Sequence, residues 1–523
     1  MIKIALFVIN VLTPILIVVL LALSIRGSFG SPTSNDLSSS IWRGEGVFEL
    51  SPERGRFALT YSLIEDKSFY FSVDLARFII PDLGYKDGHY VSLFAPAVSF
   101  MVMPGYLIGK YLGASQVGAF AVIGIFALIN LILIKEIVKS LGGNKIAGWI
   151  SGLIFLFATS AYSYAVNLYQ HQISTFLILL SSLILIRTKK IWPLFFVWFF
   201  CAMSITVDYP NLFLMFPIGL FGVSKLLKIQ QKNKKKVYKV NVINLLTVLG
   251  VVLPILFFGW FNYKSYSNPL QFSGTVGGVH EIDENGNPTA SKTIDPQDVE
   301  RFVNPDEQKK SALAWFNPRE SLNGLYILMI SPDRGVVVFA PIIVLGLVGM
   351  FVLGKKKNKY LPMLLGVIVV NITLYSMWGD PWGGWAFGSR YLIPAYAIMS
   401  VFIGVALTEF RRKWLFLVVF YPVLVYSILV NTLGALTTSA NPPKTEALPL
   451  EAISGRRERY SYDRNWEFLI SGKSKSFVFQ TWGYKYLDSV YYYYLISGLI
   501  ILLTTTNFVW LIIQKNEKAI KQN

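Results

Sequence analysis

Nine ionisable residues stand where long apolar runs give way to polar chain: Glu53, Asp87, His89, His171, Asp208, Asp333, Arg334, Asp380 and Arg390. Carboxylates and imidazoles in such places suit proton transfer. Arginine suits a phosphate or carboxylate, because its planar fork donates two parallel hydrogen bonds. Ionisable groups next to hydrocarbon are costly, so a gathering of them on one face points to a site. A two-histidine-plus-acid metal set can be drawn from His89, His171 and Asp87, but their spacing does not fix one. Simpler structural duties compete for most of these positions. Asp87 begins an Asp-Gly turn in "KDGHY". Asp208, before Tyr209-Pro210, is suited to capping the next helix. Arg334 can anchor a helix start, and His171 can cap a span. His280, in a Gly/Asn-rich stretch, reads as surface.

The stretch "WGDPWGGWAFGSRY" (378–391) stands between two apolar runs. Gly383, Gly384 and Gly388 let it fold tightly, and Trp378, Trp382 and Trp385 suit headgroup depth or stacking on a ligand. An aromatic belt with a snorkelling Arg390 is the plainer reading.

Long apolar elements must position these residues. The 523-residue chain is 54% hydrophobic and 15% charged, with a mean hydropathy of +0.50; soluble domains carry about 25% charge. Continuous apolar runs without period-two alternation predict an all-α polytopic membrane protein and argue against a β-barrel. The one cysteine, Cys201, lies in an apolar run, which excludes an intrachain disulfide and a thiolate metal site. Basic clusters at 135–145, 187–190, 225–239, 355–359, 411–413 and 515–523, with Lys3, hold 24 of the 48 basic residues and 2 of the 30 acidic ones. The positive-inside bias puts them in the cytoplasm. The +18 net charge is then a topology signal, and nucleic acid is not needed to explain it.

Parity requires that 91–112, with Pro96, Pro104 and Lys110, form an interfacial or re-entrant helix rather than a crossing. Twelve spans result, at 4–25, 116–134, 146–166, 172–187, 191–207, 210–225, 241–262, 334–354, 360–377, 391–409, 414–434 and 490–513, the first read as uncleaved. Both termini are expected in the cytoplasm of a multi-pass cell-membrane protein, with the candidate site outside. Residues 51–71 read as a helix lying in the interface. Residues 1–434 form one module, with outer loops 26–115 and 263–330. Residues 435–523 add an outer loop, able to cover the site or select an acceptor, and the last span. The stretch 273–298 reads as loop.

Four stretches, in order and on one predicted face, carry a resemblance: "RFALTYSLIEDKSF" with "DGHYVSLFAP", "NLYQHQISTFLILL", "NGLYILMISPDRGVVVFAPIIVLGLVG" and "WGDPWGGWAFGSRYLIPAY". Together they resemble the GT-C glycosyltransferases, more narrowly glycosyltransferase family 39 and the aminoarabinose-transferase-like proteins. The resemblance implies a GT-C-like helical bundle that transfers a sugar, with inversion, from a polyprenyl-phosphate carrier to a glycan, lipid or protein acceptor. Membrane lipids are then its surroundings. It implies Glu53 as the catalytic acid; predicted topology and residue chemistry add Asp87 as a second candidate acid and Arg390, Arg334, His89, His171, Tyr391, Trp382 and Asp208 as candidates for binding substrate or phosphate. A fixed guanidinium, or a divalent cation, would stabilise the leaving phosphate. The sequence departs from the family at three places: Glu53 stands where an Asp is usual, Arg54 where a second acid is common, and Leu93-Phe94 where many relatives have an acid and a phosphate-contacting Lys.

Two other readings stay open. A flippase for lipid-linked saccharides would show paired broken helices at mid-membrane, and no internal repeat is visible. A non-catalytic relative would lack a carboxylate near a phosphate pocket.

Overall fold

A computed structural model describes residues 2–39, 41–44, 46–232, 235–240, 242–289 and 316–514. Among them, five helices are long and apolar enough to cross a membrane: Ser115–Ser140, Ile243–Tyr266, Arg390–Phe410, Trp414–Leu436 and Ser489–Ile513. Seven shorter apolar helices fall in the other seven segments expected as spans. Side chains such as Leu253, Leu256, Leu415 and Val418 are more than half exposed on these helices, as lipid-facing residues must be. The chain is a membrane protein.

The two ends of the bundle keep separate company. At one end Arg187 pairs with Glu136, Asn144 Nδ2 donates to Gln514 at 2.9 Å, Tyr360 OH donates to the Ile186 carbonyl and Lys356 meets Glu409. These are the basic clusters. At the other end the loops interlock. Strands Leu83–Lys86 and His89–Ser92 form a hairpin, and Gly277–Val279 pairs with the first of them, in register Leu83↔Val279. That sheet joins the 26–115 segment to part of 263–330, and it corrects the expectation that 273–298 is all loop; residues 290–315 lie outside the described set. Phe316 bridges to Trp378, and Arg26 to Ser476.

Several helices differ from their expected form. Of residues 51–71, the α-helical part is enclosed rather than half-exposed, while 63–70 stay partly exposed. Helix Ser51–Tyr61 is buried on almost every side, because the hairpin, the 97–111 helix and the Arg26 segment enclose it. The 91–112 stretch divides into strand His89–Ser92 and helix Ala97–Tyr111. That helix packs backbone to backbone on Ser115–Ser140: a Cβ on Gly118 would stand 2.1 Å from the Gly105 carbonyl oxygen. The 334–354 run breaks at Ala340-Pro341 into short helical pieces before Gly346–Lys355, since Pro341 cannot donate its amide.

The departure that matters most concerns 146–166. The helix stops at Phe157, and residues 158–170 run as buried irregular chain. Thr159 Oγ1 bonds back to the Phe155 carbonyl at 2.6 Å and accepts the Ala161 amide at 3.2 Å; such side-chain bonds compete with the helical ladder. Backbone buried this way needs other partners. The Val166 carbonyl accepts the Arg26 amide, and the Ala161 carbonyl accepts Gln172 Nε2 at 2.8 Å.

Because Gly118 leaves no room for a side chain, Gly118→Val should part the two helices and cost about 1–3 kcal/mol or more. Thermal unfolding of the purified protein in detergent should show a lower transition, whereas Gly113→Ala, where an added Cβ meets nothing within 4 Å, should do less harm despite its positive φ.

Candidate functional site

The irregular segment ends in Tyr169, which is 1% exposed and whose hydroxyl has no protein partner. Three groups gather round its ring. The Arg390 guanidinium lies 5.2 Å from the ring centre and that of Arg56 lies 5.9 Å away. The His171 imidazole is stacked parallel at 5.9 Å. Arg390 Nε and Nη1 and Arg56 Nε are buried without a protein acceptor. A guanidinium gains from an aromatic face, but buried donors left unpaired are costly, so these arginines are set for an anionic ligand.

Arg56 comes from helix Ser51–Tyr61, one turn after Glu53, so the two side chains share a face. Arg56 keeps one bond, Nη1 to the Pro52 carbonyl at 2.9 Å, and lies 4.8 Å over the Phe94 ring. Burial lowers its pKa to about 10, against the pull of Asp208, so it stays charged at neutral pH. Arg390 follows the tryptophan–glycine loop. Gly383 has φ +73°, and a Cβ there would stand 3.0 Å from Arg390 Nε and 3.1 Å from the Tyr391 ring. Tyr391 stacks on Tyr375 at 4.2 Å.

Glu53 is fully buried. Its Oε1 accepts one long bond, from Asn167 Nδ2 at 3.4 Å, and Oε2 has no protein partner. Burial, then the neighbouring Glu49 carboxylate, push its pKa up to about 8 against the pull of Arg26, Lys475 and Arg54. Glu49 goes the other way. Burial alone would raise it, but Lys475 and Arg26 outweigh that and hold it at about 2. Arg26 Nη1 is 3.0 Å from Glu49 Oε2 and Lys475 Nζ is 3.2 Å from Oε1, and the Ser439 amide donates at 2.8 Å. Two acids four residues apart are thus separated into a fixed anion and a carboxyl that holds its proton, the contrast that marks acid–base pairs.

The expected residues divide into those that meet here and those that do not. Glu53, Arg390, His171 and Tyr391 meet round Tyr169, His171 lying edge-on to Tyr391 at 6.4 Å. Asp208 joins them through Gln170, whose Nε2 donates to Oδ2 at 3.1 Å; burial raises its pKa, opposed by that bond and by Arg56 and Arg390. Arg334 is fully buried and serves the loops. It donates to the carbonyls of Trp382, Gly384 and Asn441 at 2.9 Å each and to that of Asp333 at 2.7 Å. Trp382 therefore contributes its carbonyl to this clamp. Asp333 takes the Ser331 hydroxyl and the Lys444 amide, and Asp380 takes the Gly384 amide. Asp87 and Gly88 form the two-residue hairpin turn, both at positive φ, and His89 is exposed and stacked on Tyr70 at 4.2 Å. The hairpin tip is not brought to the buried His171. No cluster of three or more His, Cys, Asp or Glu suited to a metal ion occurs among the described residues.

Tyr169 and Gln170 were not singled out in the sequence, and Arg56 marked only a motif position beside Glu53, not a site residue. The signal for Arg56 was its i+3 spacing from Glu53. Nothing marked Tyr169 beyond its place two residues before His171. Beside Tyr209, next in sequence to Asp208, an apolar groove of about 590 Å³ runs between helices Leu194–Val207, Phe216–Leu226 and Val252–Tyr266, lined by Trp198, Ile205, Leu220, Val251 and Phe258 among others.

No family model matches the chain, and no curated protein matches it. Solved structures do. The Archaeoglobus fulgidus oligosaccharyltransferase in complex with Zn and sulfate matches with a TM-score of 0.44 and 12% identity, over 86% of this chain and 55% of that one. The same organism's oligosaccharyltransferase AglB, in complex with an inhibitory peptide and a dolichol-phosphate, matches with 0.38 and 13%, over 94% and 55%. ArnT from Cupriavidus metallidurans bound to undecaprenyl phosphate matches with 0.41 and 11%, over 96% and 77%. The chain spans about half the length of the archaeal enzyme it matches.

Two outcomes check the electrostatics. Glu53 keeps its proton in the folded chain to about pH 8 but loses it near the model-peptide value of 4.5 when unfolded, so stability falls as pH rises between those values. Glu53→Gln removes that penalty, and its melting temperature relative to the parent should climb from pH 5 to pH 8 and level off above. Glu49→Gln leaves two buried cations short of their partner and should cost about 3–5 kcal/mol at neutral pH, read from the same melting curves.

Proposed function

We propose that this protein is a membrane glycosyltransferase that moves a sugar from a polyprenyl-phosphate carrier to an acceptor hydroxyl, at the end of the bundle facing away from the cytoplasm, with both termini inside and twelve crossings. The observation that carries the reading is the convergence on Tyr169: two guanidiniums with unpaired buried donors and a carboxyl with an unpaired oxygen, with an apolar groove that reaches Tyr209, the neighbour of Asp208 in sequence. That combination fits a ligand with an anionic head and a hydrocarbon tail. Arg390 and Arg56 hold the phosphate oxygens, and the groove takes the first isoprenoid units.

Glu53, ionised, removes the proton from the acceptor hydroxyl. The acceptor oxygen attacks C1 of the sugar from the face opposite the phosphate, so the new C1–O bond forms as the old one breaks. The electron pair leaves with the polyprenyl phosphate, whose growing negative charge the two guanidiniums stabilise, and the proton ends on Glu53. Donors aimed at developing charge in a dry site act most strongly there. Asp208, through Gln170, and His171 line the same recess and orient the sugar. Asp87, His89 and Arg334 have no part in this step: the first two stand on the hairpin turn, and Arg334 holds the loop that carries Arg390.

Binding of undecaprenyl phosphate to the purified protein, followed by native mass spectrometry, tests the phosphate clamp. Arg390→Ala should weaken it about a hundredfold, while Glu53→Gln should change it little. Transfer from an undecaprenyl-phosphate sugar should instead fall about 10²–10⁴-fold in Glu53→Gln. In the parent, kcat/KM should rise with pH along a limb of apparent pKa near 8, the value at which Glu53 ionises. Unaltered carrier binding in Arg390→Ala, together with unaltered transfer in Glu53→Gln, would remove both roles.

A further inference from the structure

We propose that the site works without a divalent cation: the paired guanidiniums of Arg56 and Arg390 supply the positive charge that such an ion would bring to the phosphate. This inference rests on the transferase reading above and concerns the same recess. A Mg²⁺ or Mn²⁺ site is built from oxygen ligands, usually two or more carboxylates left free to coordinate. The acids near Tyr169 do not offer that. Glu49 is held by Arg26, Lys475 and the Ser439 amide. Asp380 accepts the Gly384 amide. Asp208 accepts Gln170 Nε2 and faces Arg56 and Arg390. Glu53 keeps a buried oxygen without a protein partner, but Arg26, Lys475 and Arg54 act on it from nearby, and no group of three His, Cys, Asp or Glu suited to a metal ion occurs among the described residues.

Fixed charge argues the same way. Arg26, Lys475 and Arg54 act on Glu53 and Arg56 and Arg390 face Asp208, so a divalent ion beside Glu53 would meet repulsion from several sides in a medium that screens it weakly. The unpartnered imidazole nitrogen of the recess, His171 Nε2, stands in the field of Arg390 and Arg56. The phosphate meets the reverse situation. Arg56 and Arg390, with unpaired N–H groups, reach the Tyr169 ring from different elements, fixed by the Ser51–Tyr61 helix and by the Gly383 turn, and a planar fork holds phosphate oxygens in two directions at once. A preorganised pair of this kind stabilises a leaving phosphate as the charge develops, which is the service a metal ion gives as a Lewis acid.

Two measurements on the full-length protein in detergent decide this. In the first, Mn²⁺ is titrated into the metal-stripped protein by calorimetry, with and without undecaprenyl phosphate. No stoichiometric binding that depends on Glu53 is expected. One-site binding that disappears in Glu53→Gln overturns the inference. In the second, transfer from an undecaprenyl-phosphate sugar is compared before and after EDTA treatment and desalting. A rate within about twofold of the untreated enzyme supports it, and a loss beyond about tenfold that Mg²⁺ or Mn²⁺ restores overturns it. Should no preparation transfer sugar at all, the transferase reading falls by itself, and the Mn²⁺ titration still decides whether the recess takes a cation.

Discussion

The arrangement depends on one buried ion group, Glu49 between Arg26 and Lys475. Arg26 follows the first helix, Glu49 precedes the Glu53 helix, and Lys475 lies in the segment before the last helix. Arg26 also reaches the Gly434 and Ala435 carbonyls and the Ser439 hydroxyl, so four stretches of chain far apart in sequence are tied at one point. Isolated buried charges are expensive, and removing one member leaves the others uncompensated. The group therefore acts as a fixed reference charge. It holds a permanent anion close to Glu53, and that anion, added to burial, keeps the Glu53 proton in place until the pH is well above neutral.

A second constraint is backbone satisfaction inside an apolar bundle. Where lipid surrounds a protein, irregular chain survives only if it is enclosed and its polar groups are met by other residues. Residues 158–170 meet that condition through Gln172, Arg26 and their own hydroxyls, and they place Tyr169 where no straight helix could. The tryptophan–glycine loop meets it through Arg334, whose guanidinium takes four carbonyls. The loop 435–488 closes over it, with Trp385 Nε1 donating to Glu446 at 2.6 Å and Arg464 lying over the Trp385 ring. One arginine of the loop region is consumed in holding it, which leaves Arg390 free to face a ligand.

Much of this was legible in the sequence, and the limits have physical causes. Apolar runs anticipated the five long and seven shorter apolar helices found among the described residues, because hydrocarbon imposes length and charge rules that act locally. Predicted topology put Glu53, His171, Asp208 and Arg390 on one face, but together with Asp87, His89, Asp333, Arg334 and Asp380, and it did not say which of the nine meet. What the sequence hid was breakage and duty. The end of the helix at Phe157 depends on side-chain bonds of Thr159 that compete with a ladder the apolar pattern favours. Arg334 and Arg390 look alike as basic residues beside Gly-rich turns, and only their surroundings show that one is satisfied and the other is not. Asp87 and His89 lay in a stretch whose Asp-Gly signal was that of a hairpin turn, and it folds as one. Glu49, one acid among several in the first outer loop, gained its role from Lys475, 426 positions away in sequence.

The central claim is that a carrier phosphate sits at Tyr169 between Arg56 and Arg390, with Glu53 beside it. Cryo-electron microscopy of the full-length protein in lipid nanodiscs with undecaprenyl phosphate tests this most directly. The account predicts phosphate density about 2.7–3.2 Å from nitrogens of both arginines, with the tail entering the groove lined by Trp198 and Phe258. Head-group density at the opposite, lysine-rich end of the bundle, or a phosphate that leaves both guanidiniums uncontacted, would contradict it.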